Sequence, residues 1–150
     1  MLGVRVVFEI SVRNAEKQRI QKTDLLTRVK QFEDSVAVTD APLFTQKAQL
    51  FPGCFFVIGF DTAERILDER FYAGSRSRMV DSLRLFQDQR NRFLVGGRRN
   101  NVGVFCGCDS LKIPSGFETL FSGLTEAEFR EDVSSTEIRR KQRVDPNEQT

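Results

Sequence analysis

Histidine is absent from the 150 residues of the chain, and so is tryptophan. Without histidine no Ser-His, Cys-His or His-metal chemistry operates, and the usual general base near neutral pH is missing. Cysteine is scarce, with only Cys54, Cys106 and Cys108. Cys106-Gly107-Cys108 is spaced like a soft-metal pair, but nothing else in the chain completes a site. Two reduced thiols on or after a strand is the plainer reading. Long apolar runs are also lacking, since the longest, around Cys54 to Phe60, is far too short to span a bilayer. No basic-then-apolar start with a small-residue cleavage site is visible, so the chain reads as cytoplasmic. Charge of one sign is not in excess either. Lys plus Arg number 23 against 21 Asp plus Glu, which gives no reason to expect nucleic acid or an anionic membrane as a partner.

What remains is the composition of a soluble globular protein, 39% hydrophobic and 29% charged. The length suits one domain with a single sizeable core. Fourteen phenylalanines against one tyrosine make that core Phe-rich.

The chain is organised around Phe55-Phe56-Val57-Ile58-Gly59-Phe60-Asp61-Thr62. A short continuous apolar run between Pro52-Gly53 and a charged helical stretch reads as a strand buried on both faces, as in parallel sheets. In open parallel sheets the ligand sits beyond the carboxyl ends of the strands. Gly59 would let a ligand approach the backbone there, with Asp61 at the crevice. The simpler alternative has Asp61 capping a helix that starts near Thr62.

Elsewhere strands and helices alternate. Val4–Ile10 and Val36–Thr39 read as strands, and Leu25, Leu26, Val29 and Phe32 fall at helical spacing behind Thr23 or Asp24 as caps. Pro42 suits a first helical turn, and Phe44, Ala48 and Phe51 make an apolar stripe. Thr62–Leu67 predicts a short helix and Asp68–Ser77 a polar connection. Met79, Val80, Leu83 and Phe86 mark an amphipathic helix. Phe93-Leu94-Val95-Gly96-Gly97-Arg98 then repeats the earlier design of short apolar strand, glycine and charge. Val102–Cys106 reads as a strand, Ser110–Gly116 as a loop, and Thr125–Arg130 and Ser134–Lys141 as helices, before a polar, disordered tail. Alternation of this kind predicts crossover units and a three-layer α/β fold, with residues 1–141 as the domain and 142–150 as the tail.

Asp132-Val133-Ser134-Ser135-Thr136-Glu137-Ile138-Arg139 is the most informative short motif. Free N–H groups, the helix dipole and three hydroxyls at a helix start make a phosphate site, and Arg139 could add a charge-assisted clamp. The competing reading is a capping box, with Ser134 as N-cap and Glu137 reaching back.

Val133–Arg139 closely resembles the I-S-S-T-x-I-R motif of the nucleotidylyltransferase superfamily, and Gly59-Phe60-Asp61-Thr62 resembles its G-x-D-[TS] strand end. The phrase Thr39-Asp40-Ala41-Pro42-Leu43-Phe44-Thr45-Gln46-Lys47-Ala48-Gln49-Leu50-Phe51-Pro52-Gly53 is similar to one that precedes the G-x-D strand in the nicotinamide or nicotinate mononucleotide adenylyltransferase-like branch, often labelled cytidylyltransferase-like. Phe8–Val12 and Phe93–Arg98 look like family strands, so the resemblance runs from about Phe8 to Lys141. It implies a Rossmann-like three-layer sandwich with a mostly parallel sheet. It also implies adenylyl transfer from ATP, with Mg2+, to a nicotinamide or nicotinate mononucleotide-like acceptor, as in NAD biosynthesis. Carried over residue by residue, Ser134, Ser135, Thr136 and Arg139 would hold the triphosphate, and Gly59, Asp61 and Thr62 would meet the nucleotide. Arg98 is a further candidate, set against a solvated surface arginine. Lys47 matches the family phrase, but a helix-face lysine usually faces water.

The family's H-x-G-H motif, which follows its first strand and contacts the reacting phosphates, has no counterpart here. The resemblance therefore implies an N-terminally truncated form, with the first strand and helix missing. Losing oxyanion-type donors costs on the order of 10²–10³ in rate each, so the isolated chain is expected to be inactive. It also implies that the Val4–Ile10 and Phe55–Gly59 strands each keep an open edge. Three explanations fit: a truncated gene model, splice product or fragment of an active enzyme; a short protein whose open edges another chain completes; or a non-catalytic nucleotide-binding or scaffold protein.

Overall fold

The structure is a computed structural model, and it describes residues 3–13, 19–100 and 102–129. The chain is mixed α/β and divides into two compact units, residues 1–54 and 55–150. Ser134, Ser135, Thr136 and Arg139, the helix expected over 134–141 and the tail from 142 all lie outside the described residues. Among the described residues no helix is long and apolar enough to cross a membrane.

In residues 1–54, β1 (Phe8–Ser11) pairs in parallel with β2 (Val36–Thr39), Phe8 level with Val36 and Ser11 with Thr39. Between them runs α1 (Lys22–Val29), and after them α2 (Phe44–Leu50). The first strand is shorter than the run of valines suggests. Val4, Val6 and Val7 are exposed, because strand β2 supplies partners only from Val36 onward. Helix α1 is capped by Gln21 without a side-chain bond, so Thr23 and Asp24 fall inside its first turn instead of capping it. Helix α2 begins after Pro42, at Phe44, where Gln46 Oε1 accepts from the Leu43 amide at 3.1 Å. Phe8 stacks on Phe32 at 4.4 Å between ring centres. The buried apolar side chains of this unit are small ones: Val12, Ala41 and Ala48.

In residues 55–150, three parallel strands make one sheet in the order β3 (Phe55–Gly59), β4 (Arg92–Gly96), β7 (Phe121–Gly123). The crossover from β3 to β4 carries α3 (Phe60–Ile66), a 3-10 turn at Glu69–Tyr72 and α4 (Arg76–Asp88). Ser75 caps α4 by accepting from the Arg78 amide. Beyond β4, β5 (Arg98–Arg99) and β6 (Phe105–Cys106) form a two-residue antiparallel ladder, so the strand expected over Val102–Cys106 is much shorter. Thr125–Phe129 is a single turn and not a helix.

Phe93 is the centre of the core. Its ring meets Phe86 of α4 edge-on at 5.0 Å and stacks on Phe121 of β7 at 5.1 Å. Leu83, Phe86, Phe93 and Val95 are almost wholly buried. Central position in the sheet explains the continuous apolar run of β4. Strand β3 departs from expectation. Ile58 is buried and Phe56 leans on Phe93, yet Val57 on the opposite face is 72% exposed and Phe55 is exposed too. Among the described residues β3 pairs only with β4, so it is a strand packed on one face.

Candidate functional site

The register of β3 against β4 builds the site. Gly59 stands level with Gly96, the last residue of each strand. Asp61 follows Gly59 by two positions and Arg98 follows Gly96 by two, so equal offsets from level strand ends bring the two charges together. Arg98 Nη1 donates to Asp61 Oδ2 at 2.8 Å. Asp61 is 61% exposed and Arg98 30%, which leaves the carboxylate open to water while the guanidinium is half-buried. Arg98 is therefore an ion-pair partner at the strand ends, not a freely solvated surface arginine.

Asp61 does not cap its helix. The N-cap of α3 is Gly59, with no side-chain bond, and Asp61 sits in the first turn with its carboxylate engaged by Arg98. Thr62 follows in that turn, half-buried. Above Gly59 the space is open, for a Cβ there would meet nothing within 4 Å.

The glycines ending β4 serve another purpose. A Cβ on Gly96 would stand 3.1 Å from the Phe129 ring, and one on Gly97 would overlap the Phe105 ring. Each glycine admits an aromatic ring, and alternation along the extended chain sends the two rings to opposite faces. Phe129 arrives through a braced turn. Leu124 N donates to Val95 O at 3.1 Å, Arg99 Nε donates to Glu126 Oε1 at 2.8 Å, and the Thr125 amide and hydroxyl both donate to Glu128 Oε2. The Thr125 amide, then its hydroxyl, hold the Glu128 carboxyl below its ordinary range. The Thr-x-x-Glu spacing is a capping-box signal that could have located this turn from the sequence.

The β1–β2 pair carries charges of a different kind. Glu9 accepts from Thr39 Oγ1 and, at 2.5 Å, from Lys47 Nζ. Lys47 is only 14% exposed and Glu9 23%, so Lys47 ties α2 to the sheet and does not face water as expected. Arg13 Nε donates to Asp40 Oδ1 at 2.6 Å just beyond the strand ends.

Cys54, Cys106 and Cys108 are free thiols. Burial, then the neighbouring Asp109, pushes the Cys108 thiol up, away from a reactive thiolate. Among the described residues no group of three or more acidic or cysteine side chains gathers to hold a metal. At the ends of β3 and β4 the Asp61 carboxylate is engaged by Arg98, and Glu126 by Arg99. A dedicated protein-built magnesium cage does not fit that arrangement, whereas magnesium carried on substrate phosphates does.

Comparison with family models, with curated proteins and with solved structures finds no match to this chain.

Proposed function

We propose that the chain binds a nucleoside triphosphate at the carboxyl ends of β3 and β4, as a protein of nucleotidylyltransferase type. The observation that carries this reading is the Asp61–Arg98 pair beside the open backbone of Gly59, at the end of a parallel strand pair. Crevices beyond the carboxyl ends of parallel strands are where α/β folds take their ligands. Arg98 offers a guanidinium whose fork geometry suits phosphate oxygens, and its present partner is an exposed carboxylate that a phosphate can replace. Asp61, once released, meets the magnesium that accompanies the triphosphate or the hydroxyls of the ribose. Ser134, Ser135, Thr136 and Arg139 supply the remaining phosphate contacts in this reading.

The reaction type that goes with it is adenylyl transfer from ATP to a nicotinamide or nicotinate mononucleotide-like acceptor. The acceptor phosphate is its own nucleophile, so catalysis consists of positioning and charge stabilisation. With no histidine in the chain, the H-x-G-H donors of such enzymes are missing, and we assign this chain binding without turnover by itself. The fold that accompanies the reading is a Rossmann-like three-layer sandwich with a mostly parallel sheet. Its support is the parallel pairing of β1 with β2, β3 with β4 and β4 with β7.

Calorimetric titration of the full chain with MgATP tests the reading. Binding is expected, and Arg98→Ala should weaken it about tenfold. Absence of binding by the unaltered chain would overturn the proposal. Pyrophosphate release from ATP and nicotinamide mononucleotide is expected to be undetectable, and robust turnover would refute the assignment of binding alone.

A further inference from the structure

Phe129 is hard to account for as a core residue. Phe129 is 44% exposed, at the end of a sheet in which Phe93 and Phe121 are buried and Phe55, on the β3 edge, is exposed. Exposed aromatic surface is a standing cost in water. Yet the ring is not loosely placed, because the Arg99–Glu126 pair and the Thr125–Glu128 bonds brace the turn that carries it. Two ring atoms, Cε1 and Cδ1, face Gly96 at 3.1 and 3.3 Å from where a Cβ would stand. The glycine thus seats one edge of the ring and leaves much of the rest open to solvent.

Extended-chain alternation puts residues 96 and 98 on one face, so Phe129 shares its face with Arg98. Two residues of extended chain, about 7 Å, separate the backbone of the glycine under the ring from that of Arg98. A flat apolar surface, a short gap and a guanidinium are the parts a nucleotide needs in that order: base, ribose, phosphate. Aromatic rings bind bases through their faces and accept every base, because each base has a π-face.

We infer that Phe129 is the base-stacking platform of the β3–β4 site, and that the ligand is a whole nucleotide, not a bare polyphosphate. This inference rests on the nucleotide reading above and adds the position of the base to it. Phe129 acts as a positioning residue for the nucleoside, while Arg98 serves the phosphates.

Titration of the full chain with MgATP and, in parallel, with inorganic tripolyphosphate separates the two claims. The unaltered chain should hold MgATP about tenfold more tightly than tripolyphosphate. Phe129→Ala should erase that preference and leave tripolyphosphate binding unchanged, and Phe129→Tyr should retain it. Because the chain has no tryptophan, Phe129→Trp places a single indole at the platform, whose emission, excited beyond the absorption of Tyr72, should change with MgATP and not with tripolyphosphate. An affinity for MgATP that Phe129→Ala does not move would overturn the inference while leaving phosphate binding intact. So would equal loss of both ligands in a folded Phe129→Ala chain, or Phe129→Trp emission indifferent to MgATP. If neither ligand binds the unaltered chain, the nucleotide reading falls and the platform falls with it.

Discussion

Residues 1–54 and residues 55–150 each set a charged pair against parallel strands, and the two pairs are built for different purposes. At β1–β2, Glu9 is held by Lys47 and Thr39 together, mostly away from water. At β3–β4, Asp61 has Arg98 as its side-chain partner among the described residues and stands largely in solvent. A desolvated carboxylate needs all its partners in place, so the first cluster is satisfied and closed. A solvated carboxylate loses little on giving up its partner, so the second remains open to exchange. The cores differ in the opposite sense. The open pair stands on the unit with the aromatic core around Phe93, and the closed cluster on the unit whose buried apolar side chains, among the described residues, are Val12, Ala41 and Ala48. The exchangeable pair thus belongs to the better-packed unit, and the unit with the thin core carries a largely desolvated ionic tie.

The largest expected effect breaks the aromatic core. Phe93→Ala removes the ring shared by Phe86 and Phe121 and should cost about 3–5 kcal/mol in urea denaturation. Phe32→Ala, which removes the stacked partner of Phe8, should cost clearly less, because that pair lies outside a buried core. Comparable losses would show that the two cores are alike after all.

The next effect sharpens the contrast between the ion pairs. Lys47→Ala takes the cation from a half-buried carboxylate that keeps the Thr39 hydroxyl, and should cost about 1–3 kcal/mol. Arg98→Ala should cost less than about 1 kcal/mol in the same assay, since its carboxylate partner is solvated. A double-mutant cycle of Lys47→Ala with Glu9→Gln checks that the first loss belongs to the pair. Equal costs at Lys47 and Arg98 would remove the basis for calling one cluster closed and the other open.

The smallest effect is a pH dependence. Glu128 is held below its ordinary range by the Thr125 amide and hydroxyl, and Asp68 by the Arg70 guanidinium and amide. A carboxyl with a lowered folded value contributes its stability above the ordinary carboxylate range, and loses it as pH falls through that folded value. The melting temperature should therefore decline on acidification from about pH 5 downward, and Glu128→Gln should make the decline shallower. An unchanged acid limb in Glu128→Gln would show that the bond within the 125–129 turn adds nothing to stability. Glu128 is exposed and Asp68 half-buried, and each is bonded only to near neighbours in the chain by the contacts named, so the effect is small.

Much of this was legible in the chain. The alternating elements, the strand after Pro52-Gly53, the helix over Arg76–Asp88 and the strand before Gly96 follow from periodicity and from glycine and proline punctuation. Asp61 and Arg98 were each visible as a charge behind a strand-ending glycine. Other features carried no local signal. Strand β7 is three residues, Phe121-Ser122-Gly123, and exists only because β4 offers it an edge. Val57 reads as core in a run of apolar neighbours, and its exposure depends on which strands flank β3. Lys47 reads as a solvated helix residue until Glu9, thirty-eight positions earlier, is brought beside it.

By itself, the sequence determined which short runs extend or coil, and it excluded histidine chemistry by composition. Those properties depend on side-chain type and on neighbours a few residues away. Tertiary structure alone decided that Gly59 and Gly96 stand level and that Asp61 therefore meets Arg98. It also decided that the glycines after β4 seat the Phe129 and Phe105 rings. Register and ring seating are relations between segments far apart in the chain, set by packing that no window of sequence contains.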